Sequence, residues 1–319
     1  MSFADKDHFS GHADRYEAFR PTYPDALFLY LSSLCTRRDL GWDCATGNGQ
    51  AAVALAPYFS AIIATDASQK QIDHARPRAN VQYRIAPADG APVADASVDL
   101  VTVAQALHWF SLPRFYAEVL RVAKPDGLIA VWCYQLHNIT PEIDAVVLRY
   151  YSDIVGADWP PERRLVEEGY RTLAFPFDEI EPPPFQMVHS WDMHHVLGYL
   201  GSWSATQRYQ KRTGADPLEL IRDELATAWG DPEKTRDVAW PLHLRRAKLV
   251  RKRRSSFQAS PRQPNDRKSR IRALSSSSQA SVRHGEPRRA EPGFRAFAGR
   301  CAGYAFRKTG AHTRRRSAA

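Results

Sequence analysis

Asp43-Cys44-Ala45-Thr46-Gly47-Asn48-Gly49-Gln50 follows the strand-like run 41–45 (GWDCA) and opens a helix-like stretch, AAVALAPYF, that ends near Pro57. Glycines at a strand-to-helix turn tolerate positive φ and let a ligand approach the main chain, at the sheet edge where doubly wound folds bind ligands. Alone, the stretch is ambiguous. Residues 47–52 also satisfy the dinucleotide pattern GxGxxG/A, and Asp66 lies 19 residues after Gly47, where a ribose-binding acid is expected. A tight turn with no ligand is the plainer alternative.

Outward from this turn, short apolar runs alternate with helical stretches. Strands are predicted at 41–45, 61–65 (AIIAT), within 80–85, at 98–104 (VDLVTVA) and at 128–134. Helices are predicted between them, one at about 68–75 with Ser68 as N-cap and one at 112–122. Pro125-Asp126-Gly127 reads as the turn into the fifth strand, since Pro presets φ and Gly tolerates positive φ. Such alternation predicts a parallel sheet covered by helices. The later chain is less regular: helices at 140–154, 159–170, 191–209 and 218–229, a strand at 185–190 after Pro182-Pro183-Pro184, and a last strand at 238–249.

The 319 residues carry a formal charge of +9, and the average conceals two unlike parts. Residues 251–319 hold 19 basic and 3 acidic residues, a net of +16, which leaves the preceding 250 at −7. The first part is long enough for one large core. The Arg- and Ser-rich remainder is too poor in aliphatics to offset its ordering entropy, so a disordered basic tail is expected. Cys35, Cys44, Cys133 and Cys301 form no CxxC pair, which supports neither a disulfide framework nor a Cys-based zinc site and suits a reducing cytoplasm. The opening residues are polar and acidic, unlike a secretory or transit peptide, and no apolar run approaches the ~18 residues that span a bilayer. A cytoplasmic protein is expected.

Three further features narrow the ligand. Asp43 precedes the glycines on the strand itself, Ala88-Asp89 follows the third strand, and the fourth runs into Gln105-Ala106-Leu107-His108-Trp109-Phe110. With DCATGNGQ, IIATDAS, SVDLVTVAQALHWF and RVAKPDGLIAVW in this order, the chain resembles the class I S-adenosylmethionine-dependent methyltransferases. More narrowly, it resembles the type-11 group that includes trans-aconitate methyltransferase, over roughly residues 9–249. The resemblance implies an α/β fold: a Rossmann-like, doubly wound, mostly parallel seven-stranded sheet with helices on both faces. It also implies a lid-like or helical segment at 1–39 and a methyltransferase domain at 40–249, leaving 250–319 as the tail.

The resemblance further implies site roles. Asp43 and the backbone of Ala45, Gly47, Asn48 and Gly49 would hold the methionine end of S-adenosylmethionine. Asp66 would accept from the ribose hydroxyls, Ala67 and Gln71 would flank the adenosine, and Ala88 and Asp89 would read the adenine amino group. Gln105 to Trp109 would floor the site near the sulfonium. Ala45 stands where the family usually has glycine, a departure that is tolerable if φ stays negative. Tyr16, Arg20, Pro21, Tyr23 and Pro24 match the family's YxxxRPxYP start. Arg20 would bind an acceptor carboxylate, with a structural salt bridge as the alternative, and Tyr23, Trp109, Trp203 and Ser204 are candidate pocket walls. His108 is a candidate catalytic group, with a packed structural histidine as the equal alternative.

In-line displacement of the methyl group draws its catalysis mainly from positioning. A carboxylate acceptor needs no general base, whereas a phenol, thiol or amine would call on His108, Tyr16 or Tyr23. The expected function is O-methylation of a small-molecule carboxylic acid by a monomer or weak dimer, with no metal. Arg251-Lys252-Arg253-Arg254 and Arg314-Arg315-Arg316 support a rival, a nucleic-acid methyltransferase tethered through its tail. A non-catalytic cofactor-binding module is a third reading. The tail also reads as a frameshift product or dispensable extension, because Arg outnumbers Lys 35 to 9 across the chain, which suggests GC-rich coding DNA.

Overall fold

A computed structural model describes residues 19–249. In chain order the elements are α1 (Asp25–Ser33), β1 (Leu40–Cys44), α2 (Gln50–Leu55), β2 (Ala61–Asp66), α3 (Gln69–Asp73), β3 (Val81–Ile85), β4 (Val98–Ala104) and α4 (Leu112–Val122). They continue with β5 (Ala123–Tyr134), α5 (Pro141–Arg149), α6 (Arg163–Glu167), β6 (Phe185–Trp191), α7 (Met193–Gly201), α8 (Ser204–Thr213), α9 (Arg222–Trp229) and β7 (Arg236–Lys248). The expectations for Tyr16, for residues 1–18 of the amino-terminal segment and for a disordered tail fall outside the described residues.

The seven strands form one sheet in the order β3-β2-β1-β4-β5-β7-β6. The pairs from β3 through β5 are parallel, and β7 runs antiparallel to both β5 and β6. The parallel part is the sheet that the alternation of runs predicts, and the whole is the Rossmann-like, mostly parallel seven-stranded sheet that the family resemblance implies. Strand order reverses between β1 and β4, so the carboxyl ends of these strands border the crevice where such folds bind ligands.

Why both faces are covered follows from the period-two alternation of the central strands. On β5, Leu128, Ala130 and Trp132 enter one core with Leu27, Phe28 and Leu31 of α1. Ile129, Val131 and Cys133 enter the other with Phe115, Val119 and Val122 of α4. The spacing of these α4 residues puts them on one helical stripe, and Val98–Ala104 is buried along nearly its whole length. Among the described residues no helix is long and apolar enough to cross a membrane.

Four local expectations need correction. Pro125-Asp126-Gly127 does not interrupt the strand; β5 continues through it with Asp126 at φ +69°, because Asp126 N–H donates to Leu249 O at 3.2 Å and Gly127 O accepts from Leu249 N–H at 2.7 Å. The helix expected at 159–170 shrinks to α6, since Pro160 and Pro161 lack amide donors and Gly169 and Tyr170 turn left-handed. The helix expected at 191–209 breaks into α7 and α8 at Trp203, whose backbone is extended and whose ring is buried. Ser68 is the N-cap residue of α3, but its side chain makes no capping bond.

The described part of the amino-terminal segment spans two regions of the sheet. Gln50 Nε2 donates to Pro21 O at 3.0 Å, and Thr22 N–H lies 3.1 Å from His189 Nε2 on β6. Residues 19–24 therefore form a strap from the glycine turn to the far edge strand.

Candidate functional site

Asp43 and Asp66 end neighbouring strands and organise the turn between them. Asp43 accepts from Thr46 Oγ1 at 2.6 Å and from Thr102 Oγ1 at 2.7 Å. Complete burial pushes its carboxyl up to about 6 against the lowering effect of these two hydroxyls, and the nearby Asp66 charge raises it a little further. Asp66 Oδ2 accepts from Gly47 N–H and Oδ1 from Ser68 N–H, both at 2.9 Å. A carboxylate has roughly four lone-pair positions, and these two backbone bonds fix its orientation.

The turn itself is left-handed at alternate residues, with Ala45 at φ +54°, Gly47 at +57° and Gly49 at +86°. Ala45 thus corrects the expectation of negative φ. Its backbone is held by the bond of Thr46 N–H to Thr65 O at 2.9 Å, so the methyl group sits in a region that costs an L-residue about 1–2 kcal/mol. At Gly49 a Cβ would fall 2.1 Å from the Tyr83 hydroxyl, a separation no side chain tolerates. Tyr83 is locked there by donating to Arg76 O at 2.7 Å, and Arg76 N–H returns a bond to Asn48 O at 3.0 Å. The sequence reading missed Tyr83; its only sequence signal was an aromatic on the third strand.

Beside the turn, Gln71 Oε1 lies 3.6 Å from where a Gly47 Cβ would stand, and Ala67 is exposed at the end of β2. Ala88 and Asp89 are half-buried beyond β3, where Asp89 pairs with Arg114 Nε at 3.0 Å. Gln105 is another left-handed residue, at φ +57°. Its side-chain amide mimics a strand, with Nε2 donating to Tyr134 O at 3.2 Å and Oε1 accepting from Tyr134 N–H at 2.8 Å. That pairing ties the end of β4 to the end of β5.

A concavity open to solvent lies beyond Gln105. It gathers six of the expected residues: Arg20, Gln105, His108, Trp109, Trp203 and Ser204. Tyr23 stands behind the wall, edge-on to Trp132 at 5.5 Å and to Tyr134 at 6.4 Å. Four lining residues that the sequence reading missed are Tyr134, Gln135, Trp159 and Arg163, and Tyr199 lines the pocket as well. No carboxylate is among the described lining residues, whereas two guanidinium groups are.

Among the described residues these guanidiniums meet hydroxyl and carbonyl oxygens and rings. Arg20 donates to Tyr134 Oη at 3.1 Å and to Ser202 O at 3.3 Å, and stands 5.6 Å from the Tyr199 ring centre. Arg163 donates from Nε to Tyr151 Oη at 2.7 Å and stacks 4.7 Å over Trp159. Trp159 in turn packs 5.5 Å from Trp203. Tyr151 belongs to a π-helical turn, Tyr150–Ile154, that continues α5; such turns often mark functional sites. His108 presents Nδ1 to the Tyr170 hydroxyl at 2.8 Å and its ring lies 4.6 Å from Trp109.

Comparison with known proteins agrees with this geometry. A family model described as a methyltransferase domain matches residues 42–131. A protein of Dictyostelium discoideum named as a methyltransferase is 37% identical over 246 residues, covering 75% of this chain and 93% of its own length. A Saccharomyces cerevisiae protein named as an S-adenosylmethionine-dependent methyltransferase is 31% identical over 143 residues, 42% of this chain and 48% of that protein. A solved structure from Anaeromyxobacter dehalogenans, described as a type II methyltransferase, is 46% identical with a TM-score of 0.69. It covers 73% of this chain and 99% of its own.

Proposed function

Because the chain belongs to the class I S-adenosylmethionine-dependent methyltransferases of the type-11 group, we propose that it O-methylates a small carboxylic acid. The observation that carries the acceptor class is the pair Arg20 and Arg163 in an aromatic pocket whose described lining contains no carboxylate. Guanidiniums bind carboxylates through paired N–H donors, and desolvation by rings strengthens the bond. Among the described residues no carboxylate forms a direct ion pair with Arg163; it donates to the Tyr151 hydroxyl, which donates in turn to Glu167.

The glycine turn suits the cofactor on chemical grounds. Gly47 and Gly49 present backbone without side chains, Asp66 offers a fixed carboxylate to a vicinal diol, and Asp43 offers buried negative charge to a cationic methionine end. Ala67, Ala88 and Asp89 follow strand ends, Gln71 stands on α3, and together they would border the adenosine. When bound, S-adenosylmethionine would supply a sulfonium-activated methyl carbon to an acceptor carboxylate oxygen, a transfer that would ask no proton of the surrounding residues. The chain's task is then orientation. Arg20 and Arg163 would grip the acid, Trp109, Trp159 and Trp203 would confine it, and the strap at 19–24 would exclude water.

The test is methyl transfer from S-adenosylmethionine to parallel sets of carboxylic acids, phenols and amines, read by mass spectrometry. Methyl esters from acids alone support the reading. Turnover of phenols or amines with acids untouched overturns it.

A further inference from the structure

Tyr170 belongs to none of the motifs, yet its hydroxyl reaches His108. It is fully buried and lies at φ +61°, directly after Gly169 at φ +59°. A bulky residue in that region is an outlier that the surroundings must hold in place. The surroundings do so: Tyr170 N–H donates to Leu165 O at 2.9 Å, and its carbonyl accepts from Arg245 Nη1 at 2.8 Å. The strained backbone delivers the phenol beneath the short 3-10 turn Leu107–Trp109 and to within 2.8 Å of His108 Nδ1.

The direction of that bond follows from the burial of the phenol. Tyr170 is fully buried, and among the described residues its hydroxyl is hydrogen-bonded to His108 Nδ1. A phenol carries one proton, and a buried O–H left without an acceptor is costly. The Tyr170 O–H is therefore the donor that faces Nδ1. A neutral imidazole that accepts at Nδ1 carries its proton on Nε2, at the opposite side of the ring.

We infer that Tyr170 is a positioning residue that fixes His108 in the Nε2–H tautomer, so that His108 serves the acceptor pocket as a hydrogen-bond donor and not as a base. The functional part rests on the carboxylate reading above. A donor at this point orients an ionised carboxylate by binding its non-reacting oxygen, whereas a phenol or amine would need an acceptor there.

Histidine nitrogen NMR on the full chain without cofactor decides the tautomer directly, with the His108 signal identified by its loss in His108→Gln. The native protein should show the Nε2–H form and Tyr170→Phe a mixture of both forms. Acid methylation should fall about tenfold in kcat for Tyr170→Phe with cofactor affinity unchanged, as for loss of one bond that orients a charged group. His108→Gln, which keeps a side-chain donor, should retain more activity than His108→Ala. A native Nδ1–H tautomer, or the Nε2–H form persisting unmixed in Tyr170→Phe, overturns the inference. Because the tautomer is read on the native free protein, it is decided even if Tyr170→Phe fails to fold. If no acid is methylated, the carboxylate reading fails while the tautomer measurement still judges Tyr170.

Discussion

The glycine turn and the acceptor pocket are adjacent, and they are built in opposite ways. The turn comes from two short runs, 43–50 and 66–71, on paired strands, and its charges are the carboxylates Asp43 and Asp66. The pocket is collected from Arg20, Gln105 to Trp109, Tyr134 to Leu136, the segment around Trp159 and Arg163, and the junction of α7 with α8. Its charges are guanidiniums. An acidic edge beside a cationic, ring-lined hollow suits a cationic methyl donor meeting an anionic acceptor, since complementary fields set orientation and exclude wrong partners. One half is specified by backbone conformation, the other by packing between distant segments.

The sharpest separation of the two halves comes from Asp66→Ala. It removes the acceptor for Gly47 and Ser68 N–H and the proposed ribose contact, so cofactor affinity by calorimetry should fall about a hundredfold or more. The aromatic signals of the acceptor pocket should stay in place; their loss would mean the halves are not independent.

Asp43 supplies a pH test of the acidic half. Its folded value of about 6 exceeds the ordinary 3.8, so ionising it opposes folding. The stability it favours is complete below about pH 4 and is lost as pH rises through 6, by up to about 3 kcal/mol. Melting curves of the free protein, compared with Asp43→Asn, should differ in this window and in this sense. Cofactor affinity should run the other way, rising with pH through 6, because a cationic ligand favours the ionised carboxylate. A pH-independent difference between the two proteins would remove Asp43 from this role.

For the cationic half, Arg163→Met preserves apolar bulk beside Trp159 and deletes the charge. The acceptor KM should rise about tenfold with cofactor affinity unchanged, as for one lost charge-assisted bond. An unchanged KM would leave Arg20 as the only described guanidinium in the pocket.

The smallest effect is expected at Ala45. With φ at +54°, Ala45→Gly relieves left-handed strain and should stabilise the fold by up to about 1 kcal/mol, seen as a modest rise in melting temperature. A fall would show that the Ala45 methyl, which packs against one core, outweighs the strain.

How far each half could be read before folding follows the same division. Val98–Ala104 and Leu112–Val122 were legible to the residue, because burial on both strand faces and a helical stripe leave periodic marks. Asp43, Gly47, Gly49 and Asp66 were legible because a turn at a strand end restricts residue type position by position. Arg163 left no such mark. It sits among Pro160, Pro161, Glu162 and Arg164 in a stretch that reads as an ordinary charged helix, and it gains its setting from Tyr151 and Trp159. Tyr170 was hidden for a related reason, since its left-handed backbone depends on Arg245 and Leu165, contacts that no local pattern announces.

The amino-acid sequence alone determined the strand order of chemistry along the chain, the glycine turn and its two acids, and the family to which they belong. These depend on periodicity and backbone conformation, which act over a few residues. The tertiary structure alone decided that Ala45 is strained, that Gln105 binds Tyr134 backbone, that Arg20 and Arg163 share one pocket, and that Tyr170 reaches His108. The last three are meetings of residues tens of positions apart. Such meetings are fixed by how layers pack, and packing leaves no signature in the order of residues.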